Sequence, residues 1–208
     1  MFIALEGPDF CGKTSQAELL AGRLSAQGHD TLQLSFPSKS PAGVAARALL
    51  MSTQPFGPPE QRAVIIQACM LTDRYAMVPL IRRHIARGGI VVADRWTPSG
   101  VIYGTLDGLD SAWLEGLHQD LPQPDLNILL WTSFEELQTR AKIRGGFGKD
   151  RYENEPMLRA VHSAYDHMWV MKSRVSTAWT RVGAGQSKEK ITKDLLAQIT
   201  RFLRMRGF

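Results

Sequence analysis

The chain predicts an α/β fold: a parallel sheet with helices packed on both of its faces. Two observations carry that prediction. Five short strand-like runs, FIALE, TLQLSF, IVVAD, LNILLW and WTRVGA, are spread along the 208 residues, and those such as FIALE and IVVAD are continuous rather than alternating. Such runs suit strands buried on both faces. Between them lie longer stretches in which apolar residues recur at helical spacing. No repeat, low-complexity tract or long linker breaks this order, and a hydrophobic content of 44% is enough for one core. One domain over residues 1–208 is expected.

FIALE, at 2–6, enters a strand almost at once. A helix follows from Thr14 to Gln27, with Ala17, Leu20, Ala21 and Leu24 on one apolar face and Gly28 as its stop. TLQLSF is the second strand. A long helical stretch from about Glu60 to Arg87 comes next, dented at Pro79 and ended by Gly88-Gly89. IVVAD is the third strand, and a short helical region leads to the fourth, LNILLW. A helix from about Ser133, the fifth strand WTRVGA and an amphipathic segment complete the chain, whose end, RFLRMRGF, reads as a docked helix end or a basic tail.

Composition narrows the function classes. No apolar run reaches the roughly 18 residues that span a bilayer, and no basic leader precedes the first strand, so neither membrane insertion nor a signal peptide is expected. Two cysteines, Cys11 and Cys69, form no paired framework, which points to a reducing cytoplasm. The net charge of +5 comes without any long basic run, favouring phosphorylated small molecules over nucleic acid as partners. The five histidines lack metal-ligand spacing, so no structural metal is expected.

Between the first strand and the first helix stands GPDFCGKT, residues 7–14. Gly7, Gly12, Lys13 and Thr14 satisfy G-x-x-x-x-G-K-T in the context the motif requires. Glycines let backbone N–H groups curl around phosphate oxygens, and the helix N-terminus adds partial positive charge. Lys13 would bridge the β- and γ-phosphates of a nucleoside triphosphate, and Thr14 would ligate Mg²⁺. IVVAD ends in Asp94, a buried strand delivering a carboxylate toward the metal. A three-layer P-loop NTPase fold with a five-stranded parallel sheet follows. A switch GTPase would carry D-x-x-G at this strand end and N-K-x-D later, and neither stands there. Arg95 beside Asp94 suits a second bound phosphate, because a guanidinium can orient an acceptor monophosphate in bidentate fashion; a salt bridge bracing the strand end is the plainer alternative.

FPSKSPAGVAARALL, TDRYAMVPLI, DRWTPSGVIYG and RGGFGKDRYEN follow the phosphate loop in that order. Together with the carboxylate inside the loop, they resemble the thymidylate kinases from about Phe2 to about Gly185. The resemblance implies transfer of the γ-phosphoryl of ATP to dTMP, with Mg²⁺ carried by ATP, in a homodimer joined along helices including the one that bears Arg74. It implies ATP contacts at Gly7, Cys11, Gly12, Lys13, Thr14, Ser15 and Arg144, and at Gly183 and Ala184 in the loop VGAGQS. Asp9 would reach the acceptor's 3′-hydroxyl. Phe36 and Pro37 would wall the base, and Arg74 would bond a thymine carbonyl. Lys39 and Arg95 would hold the acceptor phosphate. Ser99 and Tyr103 would neighbour base and sugar, and Tyr152 would favour deoxyribose by crowding the 2′ position.

Three positions depart from the family pattern. Phe10 stands where some members place a catalytic arginine, so the cation is expected from a mobile lid at about 143–155. Arg144 and Arg151 are its main candidates, with Lys149 supplementary and Arg140 and Lys142 read as solvated. Gly145, Gly146 and Gly148 would let the lid open. Met70 replaces the phenylalanine that stacks on the pyrimidine, and a thioether packs more adaptably. Lys39 replaces an arginine and loses the bidentate fork. Met70 and Lys39 keep open a kinase of a related or base-modified deoxypyrimidine monophosphate. A non-kinase ATP-binding protein is the remaining alternative.

Overall fold

The computed structural model describes residues 1–52, 57–148, 150–175 and 178–205. Five strands form one parallel sheet: β1 (Phe2–Glu6), β2 (Thr31–Ser35), β3 (Ile90–Asp94), β4 (Leu126–Trp131) and β5 (Trp179–Gly183), in the order β2-β3-β1-β4-β5. The helices are α1 (Lys13–Ala26), α2 (Pro41–Met51), α3 (Pro59–Ala86), α4 (Thr97–Leu106), α5 (Ser111–His118), α6 (Phe134–Ile143), α7 (Glu155–Val175) and α8 (Lys188–Met205).

Strand alternation divides the core in two. Ile3, Leu5, Val92 and Ile128 face Leu20 and Leu24 of α1 and Ile191, Leu195 and Ile199 of α8. Phe2, Ala4, Val91 and Ala93 point the other way, toward Phe36, Trp96 and Ile81 of α3. Farther along that second face, Leu129 meets Ile66 of α3, Ile102 and Tyr103 of α4, and Tyr165 of α7. Both faces are dry along β1, β3 and β4, which is why these inner strands read as continuous apolar runs. Leu5 of β1 pairs with Asp94 of β3, so the loops after both strands emerge side by side at the carboxyl edge, where open α/β sheets bind ligands.

Two elements were not assigned from the sequence. α2 opens at Ser40, whose Oγ accepts the Gly43 N–H at 3.0 Å, with Pro41 in the first helical turn. α7 follows the expected lid segment. The short helical region before LNILLW resolves into α4 and α5, and α3 continues through Pro79.

Candidate active site

A cavity of about 520 Å³ opens at the carboxyl edge of the sheet. The turn after β1 forms one end of it. Gly7, at φ 145°, lies against β4 so closely that a Cβ there would stand 2.5 Å from the Leu130 carbonyl oxygen. Lys13 is 5% exposed; its Nζ donates to the Pro8 carbonyl at 2.7 Å and faces the cavity. Thr14 Oγ1 donates to Asp94 Oδ2 at 2.6 Å, while Asp94 Oδ1 is buried without a protein partner. A hydroxyl paired with a half-satisfied carboxylate fits a cation that brings its other ligands along on phosphate oxygens. Among the described residues no cluster of three or more His, Cys, Asp or Glu could hold a metal alone.

Arg95 anchors the opposite end. It adopts a left-handed φ of 71°, and its amide N–H extends the strand bonding to the Leu5 carbonyl at 2.9 Å. The guanidinium then fans out. Nη2 donates to Asp9 Oδ1 at 2.5 Å and to the Tyr103 hydroxyl at 3.2 Å; Nη1 donates to the Gly7 carbonyl at 3.2 Å and to Ser99 Oγ at 3.1 Å. Tyr103 in turn donates to Asp9 Oδ2 at 2.8 Å. Burial works to raise the Asp9 pKa, but the charges of Arg95 and Lys13 and the bonds from Tyr103 and Arg95 outweigh it and bring the carboxyl down to about 2. Asp9 is therefore an anion with two fixed donors, aimed at the same space as Lys13.

Arg74 is 3% exposed, although it sits in mid-helix on α3. Its Nη2 donates to the Trp96 carbonyl at 3.0 Å, its Nη1 to the Met70 carbonyl at 3.2 Å, and its Nε has no partner. Burial lowers its pKa to about 10, partly offset by the carboxylates of Glu6 and Asp73, so the group remains a cation at neutral pH. Phe36, Pro37, Met70, Ser99 and Gly100 surround the same region. The rings of Tyr103 and Tyr152 lie 4.8 Å apart, tilted by 53°, and the Tyr152 hydroxyl donates to Asp107 Oδ2 at 2.5 Å.

Most sequence-selected side chains line this cavity: Asp9, Lys13, Thr14, Ser15, Phe36, Pro37, Met70, Arg74, Asp94, Arg95, Ser99, Tyr103, Arg144 and Tyr152, with Gly12. Gly7, Cys11, Gly183 and Ala184 stand behind it as framework; Cys11 and Ala184 are fully buried. Lys39 is not brought to it. Ser38 and Ser40 on either side both bond Asp73, Ser38 at 2.5 Å and Ser40 at 2.6 Å, and the side chain between them is exposed to solvent. Arg47, one element later, reaches the cavity instead. Arg151 is also elsewhere, paired with Asp107 at 2.9 Å and lying over the Tyr152 ring.

Arg140, expected in solvent, crosses to the phosphate loop. It donates to the carbonyls of Cys11 at 3.3 Å and Ala184 at 2.6 Å while pairing with Glu136 at 2.8 Å. Lys142 is exposed. Phe10 packs edge-on against Phe147 at 5.9 Å, joining the loop to the segment after α6. Lys149 lies outside the described residues. The sequence reading also passed over Gln67, Asp150 and Glu153, which line the cavity, and Glu6, Asp73 and Tyr165 behind it. The one local signal for Glu6 was a carboxylate closing an otherwise apolar strand.

Comparison with known proteins agrees with this geometry. Residues 5–195 match the model of the family described as thymidylate kinase. The thymidylate kinase of Chromohalobacter salexigens is 31% identical over 205 residues, covering 96% of this chain and 94% of its own. That of Homo sapiens is 32% identical over 198 residues, covering 93% and 86%. The solved structure of thymidylate kinase from Candida albicans superposes with a TM-score of 0.76 at 22% identity, over 96% of this chain and 91% of that one, and shares the fold. The chain belongs to the thymidylate kinase family and is a nucleotide kinase.

Proposed function

We propose that the enzyme transfers the γ-phosphoryl of ATP to dTMP, giving ADP and dTDP. The observation that carries this reading is one continuous cavity with Lys13 and the phosphate loop at one end and Asp9, Arg74, Arg95 and Tyr103 at the other. A protein that only bound ATP has no use for the second group. In the proposed reaction Lys13 and the loop amides brace the donor phosphates, and Arg95 orients the acceptor phosphate for in-line attack. Arg74 donates to a base carbonyl. Asp9 accepts from the sugar hydroxyl, a role that its low pKa suits. The acceptor phosphate is already anionic near neutral pH, so no general base is needed. Thr14 and Asp94 would hold the Mg²⁺ that accompanies ATP, which would supply charge neutralisation on the donor phosphates.

We assign the residues from about 143 to 155 to a lid that closes over the donor. Arg144 already lines the cavity and Arg140 already lies over the loop, so these two are the favoured cations. Arg151 would need to leave Asp107 to join them. A homodimer joined along α3 completes the reading, and two free cysteines suit a cytoplasmic enzyme.

The test is ADP release with Mg·ATP and, side by side, dTMP, dUMP, 5-hydroxymethyl-dUMP, dCMP, dGMP and UMP. The expected result is dTMP in the lead and UMP refused, on the reading that Tyr152 in the cavity wall crowds the sugar's 2′ position. Met70 in the cavity wall favours a second reading, which a lead for a modified dUMP would select. Failure of every monophosphate would overturn the acceptor half.

A further inference from the structure

Glu6 is the last residue of β1, and its side chain is wholly buried. Taking a carboxylate out of water is costly unless its oxygens are satisfied, and here they are. Oε1 accepts the Trp96 amide N–H at 2.7 Å. Oε2 accepts the hydroxyls of Ser99 at 2.6 Å and Tyr165 at 2.7 Å. All three border the turn between β3 and α4.

That turn carries Arg95 and, at the Trp96 carbonyl, meets Arg74 of α3, the two arginines of the acceptor half. Ser99 and Tyr165 stand 2.8 Å from each other, and Arg95 Nη1 lies 3.1 Å from the first and 3.5 Å from the second. On the other side the Trp96 peptide passes the connection on, since its N–H goes to Glu6 and its carbonyl accepts Arg74 Nη2 at 3.0 Å. No ion pair holds Arg74 among the described residues, and Glu6 is one of two carboxylates whose field favours its charge. Arg95 meanwhile sits in a left-handed backbone conformation that costs a non-glycine residue energy and persists only where surroundings enforce it. Lys13 and Thr14 bond Pro8 and Asp94 rather than Glu6, Ser99, Tyr165 or Trp96, and the network meets the phosphate loop only where Arg95 donates to Gly7 and Asp9.

We propose that Glu6 is a positioning residue that sets Arg95 and Arg74 together for the acceptor nucleotide, leaving the donor half independent. This rests on the proposed acceptor reading. The carboxylate touches no reacting atom; it fixes the Ser99 and Tyr165 hydroxyls as acceptors toward Arg95 and holds the Trp96 peptide square to Arg74.

Glu6→Gln keeps the shape and replaces one accepting oxygen with a donor that faces N–H or O–H groups. With dTMP and Mg·ATP varied separately, its acceptor KM should rise about tenfold or more while the ATP KM stays within about twofold. Thermal stabilisation by dTMP should be largely lost and that by ATP retained. Equal damage to both substrates, or an acceptor KM within twofold of wild type, overturns the proposal. Should Glu6→Gln fail to fold, Tyr165→Phe removes one hydroxyl and keeps the ring; about a threefold rise in acceptor KM alone is expected, and an unchanged value overturns it. The wild-type enzyme separates the two readings. If it turns over no monophosphate, the function proposed above fails; if it turns over dTMP and both variants match it, only the role of Glu6 fails.

Discussion

Arg74 and His118 share one crowded corner, and each makes a prediction there. Arg74 has given up water for two carbonyl contacts, leaving Nε without a partner. A buried cation with spare donors is poised for a ligand's carbonyl. Arg74→Ala should raise the KM for dTMP by about 1–3 kcal/mol of lost binding, with kcat changed far less, in steady-state assays. A wild-type KM would remove the base-reading role. His118 lies just beyond Gly100, where a Cβ would stand 2.8 Å from its Nε2. Burial, aided by the Arg74 charge, depresses its pKa from 6.5 to about 4. Between those values the unfolded chain binds the proton that the folded ring refuses. The stability contributed by the neutral ring is therefore full above pH 6.5 and is lost as pH falls toward 4. Melts at pH 7.5 and pH 5 should show wild type losing about 1–2 kcal/mol more than His118→Gln. Parallel losses would mean that the ring titrates normally.

At the scale of elements, the loop from β2 into α2 depends on one close approach. A Cβ on Gly43 would stand 2.4 Å from the Ser38 carbonyl oxygen and 2.8 Å from Asp73 Oδ1, and backbone cannot swing away as a side chain can. Alanine would favour the helix by up to about 1 kcal/mol, yet the overpacking should win, so Gly43→Ala should lower stability by about 1–3 kcal/mol in chemical denaturation. Because that loop also carries Phe36 and Pro37, acceptor KM should rise with it. A neutral or stabilising result would mean that the loop has slack. The same region shows what was legible in the sequence. The inner strands β1, β3 and β4 could be read because burial on both faces leaves an unbroken apolar run, while the edge strands β2 and β5 are only half-buried and keep polar residues. α2 could not, since its Ala-rich face is weakly apolar and its clearest signal is the Ser40-Pro41 cap. Lys39 and Arg47 are both basic, and only the serines bonded to Asp73 decide which one reaches the cavity. Arg140 looked solvated because its partners lie at positions 11, 136 and 184, and no local spacing brings these together. Glu6 was hidden for a similar reason: three distant groups make its burial affordable.

For the whole molecule, α3 is the element with two working faces. Toward the core it sends Ala63, Ile66, Asp73, Arg74 and Ile81. Away from it run Val64, Ile65, Tyr75 and Leu80, exposed at 41%, 42%, 40% and 37%, with Ala68, Thr72 and Ala76 on the same side. By length and composition alone this helix could cross a bilayer, with a mean hydropathy of 1.4 over 18 residues. An apolar stripe of this kind suits cover by a partner. A second copy of the chain laying its own α3 along the stripe would do this by a two-fold contact, in which each residue meets its symmetry mate or near neighbour. Sedimentation equilibrium at micromolar concentration should then give twice the chain mass. Ile65→Glu combined with Leu80→Glu sets like charges against each other across such a contact and should give monomers. Because Asp73 and Arg74 lie on the opposite face of the same helix, loosening it should also weaken acceptor binding, so the monomeric variant should show a raised dTMP KM with ATP affinity kept. A wild-type chain that sediments as a monomer would rule out this contact, and an unchanged dTMP KM in the monomeric variant would show that the two faces of α3 act independently.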